Sequence, residues 1–554
     1  MIFVVLVVLL CALLVLWNKM KPRGPSPPVY PGALPLIGHA HQCYGDSKQS
    51  NSFYRPLYLP LLNQNYTLLQ FLGGLATNIR LVLNLAKCRI LYTYKILHFE
   101  VLQYFIKICI ISDFWEILKN LSHFSLENGG VVEIWMGPHI MYMITDPDDS
   151  MIVATKCMEK PYFYEFATEM FKNGLITASS TTWKTHRRLL NPSFNQQVMT
   201  SFLPEFNTQA RNLVVSLQSE VGKEPFDIHQ YLIKQLLKTV CQTSLGLATE
   251  DKTIDVEYAN ATEDLFATLA ERFTRIYLHL SYTYAWSSLK TKQDQLLKIT
   301  REVMNKIIYR RKEELKTNNK TQNGTSAKDV KFQPLLNQLL ELADTQDAFT
   351  DDEIREHVDT VVAAAYDTTA TTITFVLIML GTYPEVQNRV YKEIQSVLGN
   401  EDTDLTKDNL PKLVYLDAVL KETLRLYPPS PCVARRIDSD VKLKNYTLRT
   451  GGTCILSIYG MSRHAMWGAD ADQFKPERWL DPSALPSNPN VFCTFSLGKR
   501  NCIGRVYAML AIKTMLVHVL RKYIVFGDVN SVTTQFTISF KPATASQLRL
   551  ELRS

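Results

Sequence analysis

Residues 495–505 read FSLGKRNCIGR, near the end of a chain of 554 residues. Phe495, Gly498, Arg500, Cys502 and Gly504 fall in the spacing FxxGxRxCxG. Five specified positions at about one in twenty each give a chance match anywhere in such a chain a probability of about 10⁻⁴. The two glycines allow a tight bend, amide donors can moderate a thiolate's charge, and the aromatic ring can shield one face of it. That is the equipment for presenting a cysteine thiolate to haem iron, where it pushes electron density to the metal and promotes O–O cleavage. The usual fate of a lone cysteine is a buried structural thiol. The other nine are read that way, since the ten cysteines form neither a disulfide spacing nor a CxxC metal pattern.

Upstream of the loop, further short patterns stand in order. KETLRLYPP places Glu422 and Arg425 at i, i+3, hence on one helix face. Arg478 lies in FKPERW, and Trp183 and Arg187 form WxxxR. Thr350 and Glu353 predict a capping box that opens a long helix. Its apolar pattern runs through Leu380, and Gly381 with Pro384 ends it before a second helix to Leu398. Val131–Trp135 and Ile140–Thr145, split by Gly137 and Pro138, predict a β-hairpin. Residues 146–426 are mainly helical by their 3.6-residue apolar period, and the polar stretch Lys316–Val330 reads as a loop.

At these residues the sequence resembles the haem-thiolate monooxygenases of the cytochrome P450 superfamily, over nearly the whole chain except 51–112. The resemblance implies a mainly α fold with smaller β-sheets (α+β), with haem between the long helix and the cysteine loop. Cys502 would be the axial ligand, and Phe495 and Gly504 would border the haem. Trp183, Arg187, Arg435 and Arg500 would hold its propionates through charge-assisted hydrogen bonds. Glu422, Arg425 and Arg478 would form the family's buried network under the haem-binding core. Ala364, Ala365, Tyr366, Asp367, Thr368 and Thr369 are similar to its oxygen-activation segment, in which Asp367 and Thr368 relay protons to bound dioxygen so that water leaves. The nearest resemblance is to family 4, from GGVVEIWMGP, HVDT and KETLRLYPP. Many family 4 enzymes esterify the haem through a glutamate at the position of Ala364. Alanine cannot form that bond, so haem b is expected to be non-covalent. Ala365 also replaces a usual glycine, and its methyl narrows the groove for oxygen and water.

At the other end, MIFVVLVVLLCALLVLW (1–17) is an apolar run at the short limit of a membrane-spanning helix, followed by Lys19, Lys21 and Arg23. The positive-inside rule then places the remainder in the cytosol, tethered to the endoplasmic reticulum membrane by a single anchor over 1–18. A cleaved signal peptide is the competing reading, but the basic residues follow the apolar run and no small-x-small site succeeds it. Pro22, Pro25, Pro27, Pro28 and Pro31 make 19–38 a stiff, basic connector that cannot continue the helix. The remainder, 39–554, reads as one catalytic domain.

Composition, with 46% hydrophobic and 20% charged residues, excludes disordered, collagen-like and coiled-coil classes. The net charge of +7 is unevenly spread. Residues 51–112 hold six bases and one acid, Glu100, and without them the chain has 54 bases and 52 acids. That near-neutral body argues against a nucleic-acid partner. The same 62 residues match nothing in the family pattern and read as an insertion foreign to the fold, with translated intron as its source, which sequencing the transcript would decide.

Two functions from different classes follow. In the first, a haem-thiolate monooxygenase inserts one oxygen atom of O2 into a lipophilic molecule such as a lipid, terpenoid or xenobiotic. Its electrons come from NADPH through a reductase, with cytochrome b5 as a further donor. In the alternative, the chain binds haem or a ligand without turnover, as a sequestering protein or the inactive product of a damaged gene.

Overall fold

The computed structural model describes residues 27–30, 114–136, 139–248, 253–254, 256–321, 333–399, 402–537, 539–543 and 547–553. The expected anchor (1–18), the connector apart from 27–30, and the insertion (51–112) lie outside them.

In the N-terminal part, α1 (Phe114–Glu127) leads into the hairpin β1 (Val131–Met136) and β2 (His139–Ile144), paired antiparallel with Val131 opposite Ile144. Helices α2 (Pro147–Lys156), α3 (Ser180–Leu190), α4 (Leu203–Leu217), α5 (Ile228–Val240), α6 (Val256–Thr274), α7 (Ser288–Thr321) and α8 (Leu335–Gln346) follow. Residues 316–321 are helical, not loop as expected from their polarity. The helix runs on without an apolar stripe at its end, where exposed Lys316 pairs with Glu313 at 3.0 Å one turn back. Residues 322–330 of that stretch lie outside the description.

The centre of the molecule is α9 (Asp351–Thr382). Its capping box forms as read: the Thr350 hydroxyl accepts from the Glu353 amide, and the Glu353 carboxylate accepts from the Thr350 amide at 2.9 Å. Asp351, Asp352 and Glu353 place negative charge on the positive end of the helix dipole. From Thr371 to Leu380 every side chain is buried, as a helix apolar on all sides requires. It is long and apolar enough to cross a membrane, yet 78% of its most apolar window is buried within the fold, so it is the core. At Gly381 a Cβ would come within 2.3 Å of the Gly527 amide nitrogen. That glycine therefore serves a close helix–loop approach as well as ending the helix.

Helices α10 (Pro384–Leu398), α11 (Val414–Leu426) and α12 (Arg505–Lys522) pack beside α9. Val376, Leu377, Leu380, Leu416, Leu420, Leu516 and Leu520 are all at most 1% exposed. Each contributes about 1.5–3 kcal/mol of apolar burial. Strands β3 (Cys432–Arg436) and β4 (Thr453–Ser457) complete a sheet in the order β1-β2-β4-β3, with β2 and β4 parallel. Strands β5 (Tyr523–Phe526), β6 (Thr534–Thr537), β7 (Ser539–Pro542) and β8 (Gln547–Leu552) form smaller sheets. Connector residues 28–30 dock on the free edge of β1: the Tyr30 amide donates to Glu133 O at 3.0 Å and the Glu133 amide to Pro28 O at 2.9 Å.

Candidate active site

The loop before α12 is built by its own backbone. The Cys502 amide donates to Phe495 O at 2.9 Å, closing the bend, and the Ser496 amide donates to Cys493 O at 2.7 Å. Gly498 has φ +68°, and a Cβ there would lie 2.4 Å from Ala154 O on α2. Only glycine satisfies both the left-handed backbone and that contact. Gly504 is the N-cap residue of α12, so Cys502 stands just ahead of a helix N-terminus. Its side chain is accessible although it lies deep in the fold. Burial raises its pKa, while the Gly504 amide and the Arg187 and Arg505 guanidiniums pull the other way without cancelling it. With protein groups alone the thiol is thus held above its ordinary value. A bound metal cation would reverse that balance, because coordination deprotonates a thiol outright.

Arg187, on α3, braces this loop. Its guanidinium donates to Asn501 O at 2.8 Å and Asn501 Oδ1 at 3.2 Å, and to Asn191 at 2.7 Å. Trp183 is buried one turn earlier, with Arg500 4.7 Å and Arg187 5.9 Å from its ring centre. Arg500 itself donates to Ala178 O at 2.9 Å, but its Nε and Nη1 are buried with no hydrogen-bond partner among the described residues. Arg435, 1% exposed on β3, leaves its Nε likewise unpartnered.

A third cation, Lys160, joins these two, and no sequence pattern announced it. Burial and the neighbouring Arg435 and Arg500 push its ammonium well below the ordinary value. Burial and Arg435 also lower Arg500, to about 10. The nearby Glu159 carboxylate accepts from the Ser180 amide at 3.0 Å and from its hydroxyl. Arg435 and Arg500 keep idle buried donors beside Lys160 that Glu159 does not satisfy, so a further anion would stabilise the cluster. Haem brings two carboxylates, so the chemistry of this donor set fits the group that the cysteine loop implies.

On α9, Ala364 is exposed and Ala365 and Thr368 are half-buried, while Ala363, Tyr366 and Asp367 are buried. A core helix offers accessible atoms only where it borders a cleft, so the 364/365/368 face lines one. The Thr368 hydroxyl donates to Ala364 O at 2.9 Å within the helix. Asp367 is not on a solvated face: it is 5% exposed, with Lys541 Nζ at 3.4 Å from Oδ1.

The network expected from Glu422, Arg425 and Arg478 is fully assembled. Arg425 grips Glu422 bidentately, Nε to Oε2 and Nη2 to Oε1, both at 2.8 Å. Arg478 Nε reaches Oε1 at 2.9 Å, and Trp479 Nε1 reaches Oε2 at 2.9 Å. Burial works to raise the Glu422 carboxyl, but Arg425, the Lys475 amide and Arg478 outweigh it and hold the pKa low. Spare Arg425 donors bind Ser462 O at 2.7 Å and Gln473 O at 3.1 Å, tying α11 to the segment that leads into the cysteine loop.

The sequence has many relatives. A sequence model described as Cytochrome P450 matches residues 100–545. Mouse (Mus musculus) cytochrome P450 4V2 is 30% identical over 406 residues, covering 71% of this chain and 76% of its own. Cytochrome P450 4c21 of the cockroach Blattella germanica is 31% identical over 374 residues, covering 67% and 74%. Cytochrome P450 4d10 of Drosophila mettleri is 30% identical over 417 residues, covering 74% and 81%. With the cysteine loop, the buried Glu422 network and the cleft-lining face of α9 in place, this breadth of match means that the chain belongs to the cytochrome P450 family and is a monooxygenase.

Proposed function

We propose that the protein binds haem b non-covalently, with Cys502 as axial ligand, and hydroxylates a lipophilic small molecule at the cleft bordered by Ala364 and Thr368. The observation that carries this reading is the set of buried, unpaired donors on Arg435 and Arg500 beside Lys160, close to the cysteine loop. These side chains would hold the two propionates, and Trp183 would pack between Arg500 and Arg187 to fix their direction. Bound haem supplies dioxygen binding and O–O cleavage, the chemistry that no side chain of this protein possesses. Thr368 would hold a water beside the dioxygen site when its hydroxyl turns from Ala364 O, and Asp367 would pass protons to it. Since Ala364 has no carboxylate, nothing esterifies the haem.

Electrons would come from NADPH through a reductase. A groove of about 550 Å³ opens beside the cysteine loop, with Phe495, Met509 and Leu510 as apolar floor and Lys407, Lys421, Arg505 and Lys513 among its walls. Asp417 also lines the groove, 2.7 Å from Lys421 and 2.6 Å from Lys513, but the four bases outnumber it, which suits an acidic electron donor, a reductase or cytochrome b5. The body would lie on the cytosolic face of the endoplasmic reticulum membrane, tethered by residues 1–18. Leu280, Tyr282 and Trp286 support that placement, at 66%, 75% and 81% exposed, because such rings favour the headgroup layer.

The test is turnover of the full chain reconstituted with NADPH and a reductase, against lipid, terpenoid and xenobiotic probes. The reading predicts NADPH consumption that rises with a lipophilic probe and yields its hydroxylated product. In Thr368→Ala the haem should stay and peroxide per NADPH should rise several-fold. Haem binding with no probe ever coupled to product would favour a binding protein without turnover.

A further inference from the structure

Asp367 lies beside a buried cation that it shares with a second acid. Lys541, on β7, places Nζ 2.8 Å from Glu263 Oε2 and 3.4 Å from Asp367 Oδ1. Glu263, on α6, is fixed in turn, because the Tyr366 hydroxyl donates to its other oxygen at 3.0 Å. Side-chain exposure falls inward along this chain, from 28% at Glu263 through 10% at Lys541 to 6% at Asp367. Three elements far apart in sequence thus meet behind the cleft-lining face of α9. His229 of α5 lies in the same neighbourhood, its Nδ1 3.0 Å from the Thr374 hydroxyl and its Nε2 buried without a partner among the described residues. The charges that act on His229 are those of Asp367, Lys541 and Asp227.

A carboxylate clasped by an ammonium is held ionised and aimed at its partner, whereas one that carries protons must turn and exchange them. The distances say which acid holds the ammonium. Lys541 makes a full hydrogen bond to Glu263 and a marginal one to Asp367. We propose that Glu263 and Lys541 are positioning residues for the proton path: Glu263 draws the ammonium off Asp367 and leaves that carboxylate free to move protons inward from the solvated end. Tyr366 keeps Glu263 in place to do so. The inference rests on the proposed role of Asp367. Each turnover takes two protons from solvent and two electrons from NADPH, puts one oxygen atom of O2 into the substrate and releases the other as water, so the path has two protons to deliver per product.

Glu263→Gln removes the competing charge from a partly exposed site and gives Lys541 to Asp367 alone. In holoprotein with reductase and NADPH it should keep haem content and the thiolate carbon-monoxide spectrum. NADPH consumption should fall at least about tenfold, with a larger solvent deuterium isotope effect. The double variant Glu263→Gln with Lys541→Gln removes the clasp as well and should recover most of the rate and the smaller isotope effect. A merely structural pair predicts the opposite order, with the double variant worse than the single. Wild-type rate and isotope effect in Glu263→Gln, or no recovery in the double variant, would overturn the inference. Loss of the thiolate spectrum in the wild-type protein would instead overturn the haem-ligand reading on which it rests.

Discussion

At Glu422 a carboxylate with no solvent exposure receives two arginines, an indole and a backbone amide. Replacing it leaves Arg425 buried with no countercharge and Arg478 with only Asp470, 3.3 Å away, and breaking such a buried pair costs about 3–5 kcal/mol. Glu422→Ala should therefore lower the unfolding free energy by that amount and sharply reduce the yield of haem-loaded protein. Equal yield and unchanged denaturant midpoint would show the pair to be dispensable. At this scale the sequence was eloquent where partners are close in the chain: Glu422 with Arg425, or Gly498 with Cys502. It was silent on Lys160 and Lys541, since their partners are brought to them only by folding and neither stands in a spacing that marks a ligand. The direction of the Thr368 hydroxyl was equally hidden, because a rotamer is set by its surroundings.

Among elements, α3 and α9 are joined by a buried histidine pair that no pattern foretold. His357 Nε2 and His186 Nδ1 are 2.9 Å apart, and His186 Nε2 lies 3.5 Å from Glu353 Oε1 in the capping box. With a proton on Nε2 facing Glu353, neutral His186 accepts at Nδ1 and His357 donates. Burial lowers His186, with Glu353 opposing it, and lowers His357 to about 3, with His186 adding to the effect. Both groups bind fewer protons when folded than their ordinary pKa of about 6.5 gives them unfolded. The stability they contribute is thus complete above pH 6.5 and is lost as pH falls through the window toward 3. Unfolding free energy should be about 2 kcal/mol lower at pH 5 than at pH 7 from His357 alone. His357→Gln keeps a donor for His186 and should flatten that dependence. An unaltered pH slope in the variant would place the acid lability elsewhere. The hairpin and the capped α9 were legible because caps, turns and apolar periods are local. The end of α7 was not, because polarity over 316–321 marks a solvated face as readily as a loop.

Over the whole molecule, the candidate site residues that the family resemblance implies all lie within the described residues between 114 and 553, the cysteine motif in a loop and Glu422 and Thr368 on helices. Residues 51–112 stand apart in charge, with five of the seven net positive charges on 62 residues. If they are foreign to the fold, their deletion should leave haem incorporation and thermal midpoint unchanged or improved, measured on full chain and deletion variant side by side. Loss of folded holoprotein on deletion would make them part of the domain. Every functional statement about the assembled molecule depends on the sulfur of residue 502 acting as the iron's ligand. The direct measurement is the reduced carbon-monoxide difference spectrum of the haem-loaded protein beside that of Cys502→Ala. The account predicts the red-shifted band of a thiolate ligand in the natural protein and its disappearance in the variant. The same band persisting in Cys502→Ala, or absent from folded, haem-loaded natural protein, would contradict it.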